Sequence, residues 1–280
     1  MDRIDLSRVY GEASREIKGG LRAIDILNFD AGKAEEIRRR TRRLTLALDL
    51  AAKGWTDTAL VSAYAHGVAR ARVALRILGK KPRRQLMSKA IILRDEALET
   101  LVAANVSIRR TVDQMLEAAL VGAQTARSAR IQEFNRREIL RRLAEMGEEA
   151  VATEISRGEL GKKILDYLSG RVNDEGLIEV KGKFWDARKY AKLVARTGIR
   201  KSQTEATKDL CRQYENDLVE VSDHNTECEI CMEIEGNVYS LSGKDPDYPE
   251  MPMEFPPHPQ CQHNITPTSR EAIEVVSRRR

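Results

Sequence analysis

Long apolar runs are missing from this chain. No stretch approaches the roughly 18 uninterrupted apolar residues that a membrane-spanning helix requires, so no span is expected. Aromatic residues make up only 5% of the 280 positions. That is few for an all-β sandwich, whose strands favour them, and it suits a helical protein. Four cysteines exclude a disulfide-dense secreted scaffold. Proline is nearly absent from most of the chain: Pro82 is the only one before residue 246, so little interrupts helix formation upstream. The opening Met1-Asp2-Arg3-Ile4-Asp5 lacks the basic-then-apolar layout of a secretion signal, which points to synthesis in a reducing cytoplasm.

What is present is charge, at 32% of residues, and it is unevenly placed. Residues 1–171 hold 33 Lys+Arg against 23 Asp+Glu, whereas residues 172–280 hold 15 against 20. The other seven prolines fall between 246 and 267, and three of the four cysteines and three of the four histidines lie between His224 and His263. These shifts divide the chain into a basic helical region (1–171), a mixed module (172–270) and a basic tail (271–280). A length of 280 residues suits one or two domains with cores of ordinary size. The expected fold is mainly α, with long N-terminal helices followed by a small α+β module that is loop-rich, has short strands and is stapled by zinc.

Ala, Leu, Arg and Glu, all good helix formers, dominate the first region. Breaks are expected at Asn28–Gly32, at Gly54-Trp55-Thr56-Asp57 with Thr56 or Asp57 as N-cap, and at Gly79–Pro82. Leu101, Ala104, Ile108, Val112, Met115 and Ala119 recur at spacings of three and four, which lays one apolar stripe along a helix. Arg94, Asp95, Glu99, Arg109, Arg110 and Asp113 mark its polar face. Two or more long antiparallel helices are expected, then helices near 131–147 and 159–169. Basic clusters occur at Arg38–Arg40 with Arg42-Arg43, at Lys80-Lys81 with Arg83-Arg84, at Arg136-Arg137 with Arg141-Arg142, and at Arg278–Arg280. They read either as phosphate contacts or as solvated helix faces, since acidic residues are interleaved. No aromatics accompany them, so a stacking platform for single strands is not expected. His66, on a helix without neighbouring ligands, reads as an ordinary core or surface histidine.

Helix is expected to stop at Ser169–Asn173. Asp174–Val180 then alternates and leads through Lys181-Gly182 to Lys183-Phe184-Trp185, which reads as a short hairpin with Lys181-Gly182 in the turn. A helix carrying Ala187, Tyr190, Ala191, Leu193 and Val194 is expected to stop at Thr197-Gly198, with Gly198 as its C′ residue. A second runs from Lys201 to Tyr214, and Asp217–Asp223 then alternates as a strand.

The chemistry gathers in His224-Asn-Thr-Glu-Cys228-Glu-Ile-Cys231 and His258-Pro-Gln-Cys261-Gln-His263. A Cys-x-x-Cys turn converges two thiolates on one ion, and a second short segment with Cys and His completes a tetrahedral site. Cys228, Cys231 and Cys261 are three natural ligands. The fourth is His258 or His263, with His224 a weaker candidate. The intervening 229–257 segment looks too poor in apolar residues to hold itself by packing, so a structural Zn2+ would stabilise it. A catalytic zinc would need an open position and a base; Glu227, Glu229 and Glu233 are nearby, but no His-Glu-x-x-His or His-x-Glu pattern is present. A redox Cys-x-x-Cys lacks the surrounding βαβ pattern. Cys211, within a helix, reads as a plain thiol.

Several motifs in fixed order resemble the phage minor capsid proteins of the "minor capsid 2" type: Tyr190-Ala-Lys-Leu-Val-Ala-Arg196-Thr197, the strand Asp217–His224, Cys228-x-x-Cys231, Glu235–Gly243 and Pro256-Pro-His258-Pro-Gln-Cys261-Gln-His263. The ending is similar to that of the Mu F-like head-morphogenesis domain, Pro-Pro-His-Pro-x-Cys-Arg-Cys. Here Gln262 replaces the usual Arg, and His263 stands where that domain has its final Cys, a swap that a metal ligand tolerates. The resemblance covers roughly residues 184–267. It implies a structural, non-enzymatic minor head component of a tailed phage or prophage, made in the host bacterial cytoplasm and located in the virion. Portal protein, major capsid protein and packaged DNA would be its partners, and self-association is compatible with that role. The competing expectation is a phage-encoded enzyme, a nuclease or ADP-ribosyltransferase-like toxin, braced by a structural zinc. Against it, neither an Arg…Ser-x-Ser…Glu-x-Glu layout nor a histidine-rich nuclease core is present.

Overall fold

In the computed structural model the described residues are 4–25, 28–81, 88–145, 176–252 and 255–277. Helices dominate: α1 (Leu6–Arg22), α2 (Ala31–Trp55), α3 (Val61–Ile77), α4 (Ser88–Glu145), α5 (Ala187–Gln213), α6 (Glu229–Met232) and α7 (Arg270–Ser277). Among the described residues there are also five short strands: β1 (Ile178–Val180), β2 (Lys183–Trp185), β3 (Leu218–Val221), β4 (Val238–Ser240) and β5 (Ile265–Pro267). The expected combination of long helices and a small stranded module is therefore present. The helix expected near 159–169 and its stop at Ser169–Asn173 lie outside the described residues, as do Arg83-Arg84 and Arg278–Arg280. The segment from 131 continues α4 without a break.

By internal contacts the chain forms two compact units. One comprises Ser7–Asp49 and Ala103–Tyr190. In it, Tyr10, Ala13, Ile17 and Leu21 make a buried stripe along α1, and Ala104, Ile108, Val112, Met115 and Ala119 are buried as their spacing predicts. Within this unit α2 and α4 run antiparallel. Arg38 pairs with Asp113 at 3.2 Å and with Glu117, Arg109 donates to Thr45 Oγ1 at 3.2 Å, and Asn105 donates to Asp49 at 2.7 Å. The β1–β2 hairpin turns at Lys181 (φ 50°) and Gly182 (φ 74°). Two consecutive left-handed residues are what a type I′ turn requires, and glycine meets that demand without strain.

The other unit comprises Met1–Leu6, Leu50–Val102 and Ala191–Arg280. Its helical core joins Tyr64, Val68, Ala71 and Leu75 of α3 to Ala90 and Leu93 of α4 and to Ala206, Leu210 and Tyr214. Two expected breaks do not occur here. At Gly54–Asp57 the helix runs on through a π-helical turn, Thr56–Leu60, into α3. Thr56 and Thr58 turn their hydroxyls back onto the carbonyls of Lys53 and Gly54 at 3.0 and 2.8 Å, so they bond inward instead of capping a new helix. Similarly, α5 passes uninterrupted through Gly198. A Cβ there would stand 3.1 Å from Leu60 Cδ2, so the glycine serves close packing rather than termination.

After α5 the chain enters an antiparallel sheet ordered β4-β3-β5. Val219 faces Tyr239 on one side and Pro267 on the other. Asn216 holds the strand start, donating to the carbonyls of Leu218 (2.8 Å) and Thr268 (3.2 Å). The inner face packs Val219 and Val221 with Cys211, Ile234, Tyr239, Met251, Phe255 and Ile265. Four of those residues come from the segment 229–257. The expectation that this segment lacks apolar material is thus corrected: widely spaced residues, none forming a run, converge into a second small core.

Candidate metal centre

Two tight turns face each other. Cys228 precedes α6, and the N–H groups of Cys231 and Met232 both donate to its carbonyl at 2.9 Å. One helical turn thus brings the thiols of Cys228 and Cys231 to the same side. In the second turn Cys261 N–H donates to His258 O at 3.1 Å, which places His258 and Cys261 side by side. Helix α5 anchors this second turn. Thr197 Oγ1 donates to Pro259 O at 2.7 Å, and Arg200 donates to Asn264 Oδ1 at 2.7 Å. The β3–β5 ladder then extends past its last strand residues through Ser222 N–H to Asn264 O and Asn264 N–H to Ser222 Oγ, each 2.9 Å.

Two groups of donor atoms result, each mutually within 4.8 Å: Cys228, Cys231 and His258; and Cys231, Cys261 and His263. Cys231 belongs to both and is buried, as are Cys261 and His263. The separations are 3.5 Å for Cys228 Sγ to His258 Nε2, 3.0 Å for Cys231 Sγ to His258 Nε2, 3.8 Å for Cys231 Sγ to Cys261 Sγ and 3.4 Å for Cys261 Sγ to His263 Nδ1. Zinc at about 2.3 Å from sulfur and about 2.0 Å from nitrogen implies tetrahedral S···S edges of about 3.8 Å and S···N edges of about 3.5 Å. Three of the four separations meet those values, and the fourth is shorter. The donor set is thiol and imidazole, which suits zinc. Within each Cys/Cys/His group the donor spacing suits a structural Zn2+ site.

Burial pushes the Cys231 thiol up to about 12, and the neighbouring Cys261 and Cys228 sulfurs push the same way. A bound cation reverses that preference, because it stabilises the thiolates that crowding otherwise disfavours. Cys211 is also raised to about 12 by burial, but it lies in the apolar core behind β3, outside both donor groups.

His224 stands outside the two groups as well. It is exposed, its Nε2 is 2.8 Å from Ser222 Oγ, and its ring meets that of His263 edge-on with centroids 5.0 Å apart. His66 is exposed on α3 and joins neither group. The sequence pattern did not single out Glu235 or Thr197 as supports. Glu235 accepts the backbone N–H groups of His224 and Thr226, the latter at 3.1 Å. Burial acts to raise its carboxyl, but these donors hold it down at about 2. No spacing rule reaches Thr197, which is distant in the chain from the segment it supports.

The arrangement supplies the donors to hold an ion. Described cavities lie away from the cluster. One, of about 530 Å³, is lined by Trp55, Thr58, Ser62, His66 and Gln203, and carries no convergent acid–base pair. None of the described helices is long and apolar enough to cross a membrane.

Comparison with known proteins gives one family. The family described as Phage minor capsid protein 2 matches residues 171–268. No curated protein and no solved structure matches the chain. The matched family is one of structural, non-catalytic capsid proteins, in keeping with the expectation that the chain is not an enzyme. The C-terminal part of this chain therefore resembles a phage minor-capsid domain, and the resemblance spans the whole of the Cys/His cluster.

Proposed function

We infer that the protein is a structural minor component of a tailed-phage or prophage head, acting in head assembly with portal and major capsid proteins and residing in the virion. The observation that carries this reading is the coincidence of the matched segment with the Cys/His cluster and the sheet around it. Residues 172–270 would form the head-morphogenesis-like module, with 1–171 a helical region and 271–280 a basic tail. In the module, Cys228, Cys231 and Cys261 would hold a structural zinc. His258 would be the fourth ligand, because its Nε2 is within 3.5 Å of Cys228 and 3.0 Å of Cys231. His263 stands 3.4 Å from Cys261 and within 4.8 Å of Cys231, so it lies beside the same thiols but less closely. The ion would lock the two turns together and make the module a rigid docking knob.

Non-specific contact with packaged DNA is a secondary part of the proposal, and the ion pairs narrow it. Arg38 is engaged by Glu35, Asp113 and Glu117, and Arg40 by Glu16 at 2.8 Å. Arg39, Arg42 and Arg43 remain exposed for phosphate. Co-sedimentation of the protein with proheads is the direct test. A purified head fraction that lacks it, from cells that make it, would overturn the head-component reading.

A further inference from the structure

Two charge-pure stretches share one unit and have opposite sign. Residues 58–94 contain nine Lys and Arg and no Asp or Glu, whereas residues 213–243 contain eight Asp and Glu and no Lys or Arg. Each also presents apolar side chains to solvent. On α3, Arg70, Val73 and Ile77 follow one another at helical spacing on an exposed stripe. Val73 is 58% and Ile77 80% exposed, and Lys80 and Lys81 come just past the helix end. On the metal-site turn, Ile230 is 54% and Met232 60% exposed, flanked by exposed Glu227, Glu229 and Glu233.

Val73, Ile77, Ile230 and Met232 are all exposed within a single copy. One copy's basic face therefore does not cover its own acidic face.

We propose that the basic apolar face of α3 docks onto the acidic apolar α6 turn of a second copy of this chain. Each side has two exposed apolar residues ringed by charges of one sign, so apolar contact and charge complementarity act at the same place. A phosphate backbone fits the arrangement less well, because it would leave Val73 and Ile77 against a charged surface and could not engage the acidic face at all. The contact joins two different patches, so it is heterologous. Repeated from copy to copy, it closes into a ring or extends, depending on the rotation between copies. The proposal does not depend on the head-component reading.

Sedimentation velocity of the full, metal-loaded chain over a concentration series tests it. Self-association is expected at low salt and should weaken at high salt, as the Debye length falls from about 10 Å at 0.1 M to about 3 Å at 1 M. Arg70→Glu with Arg76→Glu should weaken association at least about tenfold, and so should Glu229→Lys with Glu233→Lys. Mixing the two charge-reversed proteins should restore it, since each then offers the other a complementary face. Ile77→Asp, remote from the metal turn, should weaken association by itself, which keeps the test valid if the Glu229/Glu233 variant loses its metal. A chain that stays monomeric throughout would overturn the proposal, and so would association indifferent to the Arg70/Arg76 and Ile77 changes. Retention of duplex DNA that the Arg70/Arg76 variant abolishes, with the wild-type chain monomeric, would assign the basic face to nucleic acid instead.

Discussion

The carboxylate of Glu235 stands 3.5 Å from Nε2 of the buried His263. The same carboxylate gathers the N–H groups of His224 and Thr226, just ahead of Cys228. One side chain thus braces both halves of the metal site. Such outer partners orient ligands, and their loss typically lowers metal affinity by about 10- to 100-fold. Glu235→Gln should therefore retain metal at least about tenfold less well at pH 7, measured by competition with a chromogenic chelator. The sign of the pH effect follows from the depressed carboxyl, at about 2. Its stabilising effect is fully present above the ordinary glutamate value of about 4.3 and is lost as the pH falls from there through the folded value. Equal metal retention by the variant would remove Glu235 from the site's support.

Much of this site was legible before any coordinates. Cys228, Cys231, His258, Cys261 and His263 all declare themselves by residue type and short spacing, and the structure brings their donor atoms together. The hairpin at Lys181-Gly182 and the buried stripe from Leu101 to Ala119 were equally plain, because each is a local periodicity. What escaped is non-local. The apolar residues of segment 229–257 are scattered, and only the sheet unites them. Gly198 and Gly54 look like stops in sequence, yet glycine also appears where another element approaches closely. Only the position of Leu60 beside Gly198, or of Ile4 beside Gly54, separates the two meanings.

That distinction is measurable at two glycines. A Cβ at Gly67 would sit 2.6 Å from Gln203 O and 2.9 Å from Gln203 Cα. Those are backbone atoms of α5 and cannot step aside alone. Gly67→Ala should destabilise by about 1–3 kcal/mol, the range for overpacking a close contact. At Gly198 the neighbour is the end of the Leu60 side chain, 3.1 Å away, which can shift. There the gain of about 0.5–1 kcal/mol for alanine over glycine within a helix opposes a small repacking cost. Gly198→Ala should be near neutral or stabilising. Urea denaturation that ranked the two variants the other way would refute the backbone contact between α3 and α5.

Asp217 links the start of β3 to the end of β4. Its carboxylate accepts Ser240 Oγ at 2.5 Å and Ser242 N–H at 2.8 Å. Burial acts to raise its carboxyl, but these donors outweigh it and hold it below the usual carboxylate range. Stability from this group is therefore present above about 3.9, the unfolded aspartate value, and is lost as pH falls through the lower folded value. Asp217→Ala should cost about 1–3 kcal/mol at pH 7, the scale for hydrogen bonds to a charged acceptor. The difference from wild type should shrink in acid. A gap in urea midpoints that stayed constant from pH 7 down to pH 2 would contradict the assignment.

The choice between the two histidines gives the sharpest test of the metal centre. His258 stands at coordination-scale distance from both thiols of the Cys-x-x-Cys turn, and Cys261 closes onto Cys231 at 3.8 Å. Those four residues meet at Cys231, which both donor groups share, and supply the three thiols and one imidazole of a Cys3His site. His263 lies 3.4 Å from Cys261 Sγ and within 4.8 Å of Cys231 Sγ, farther than His258 stands from its two thiols, and it turns Nε2 toward Glu235. Elemental analysis of purified protein should therefore find about one zinc per chain in wild type. It should find little in Cys228→Ser or His258→Ala, and nearly full content in His263→Ala with weaker retention. Because α1 to α5 supply no residue to either donor group, far-ultraviolet circular dichroism should change little in Cys228→Ser, while proteolysis should become faster within residues 224–263. Zinc retained by His258→Ala and lost by His263→Ala would move the fourth ligand to His263. Unchanged zinc in Cys228→Ser would remove the metal from the structure altogether.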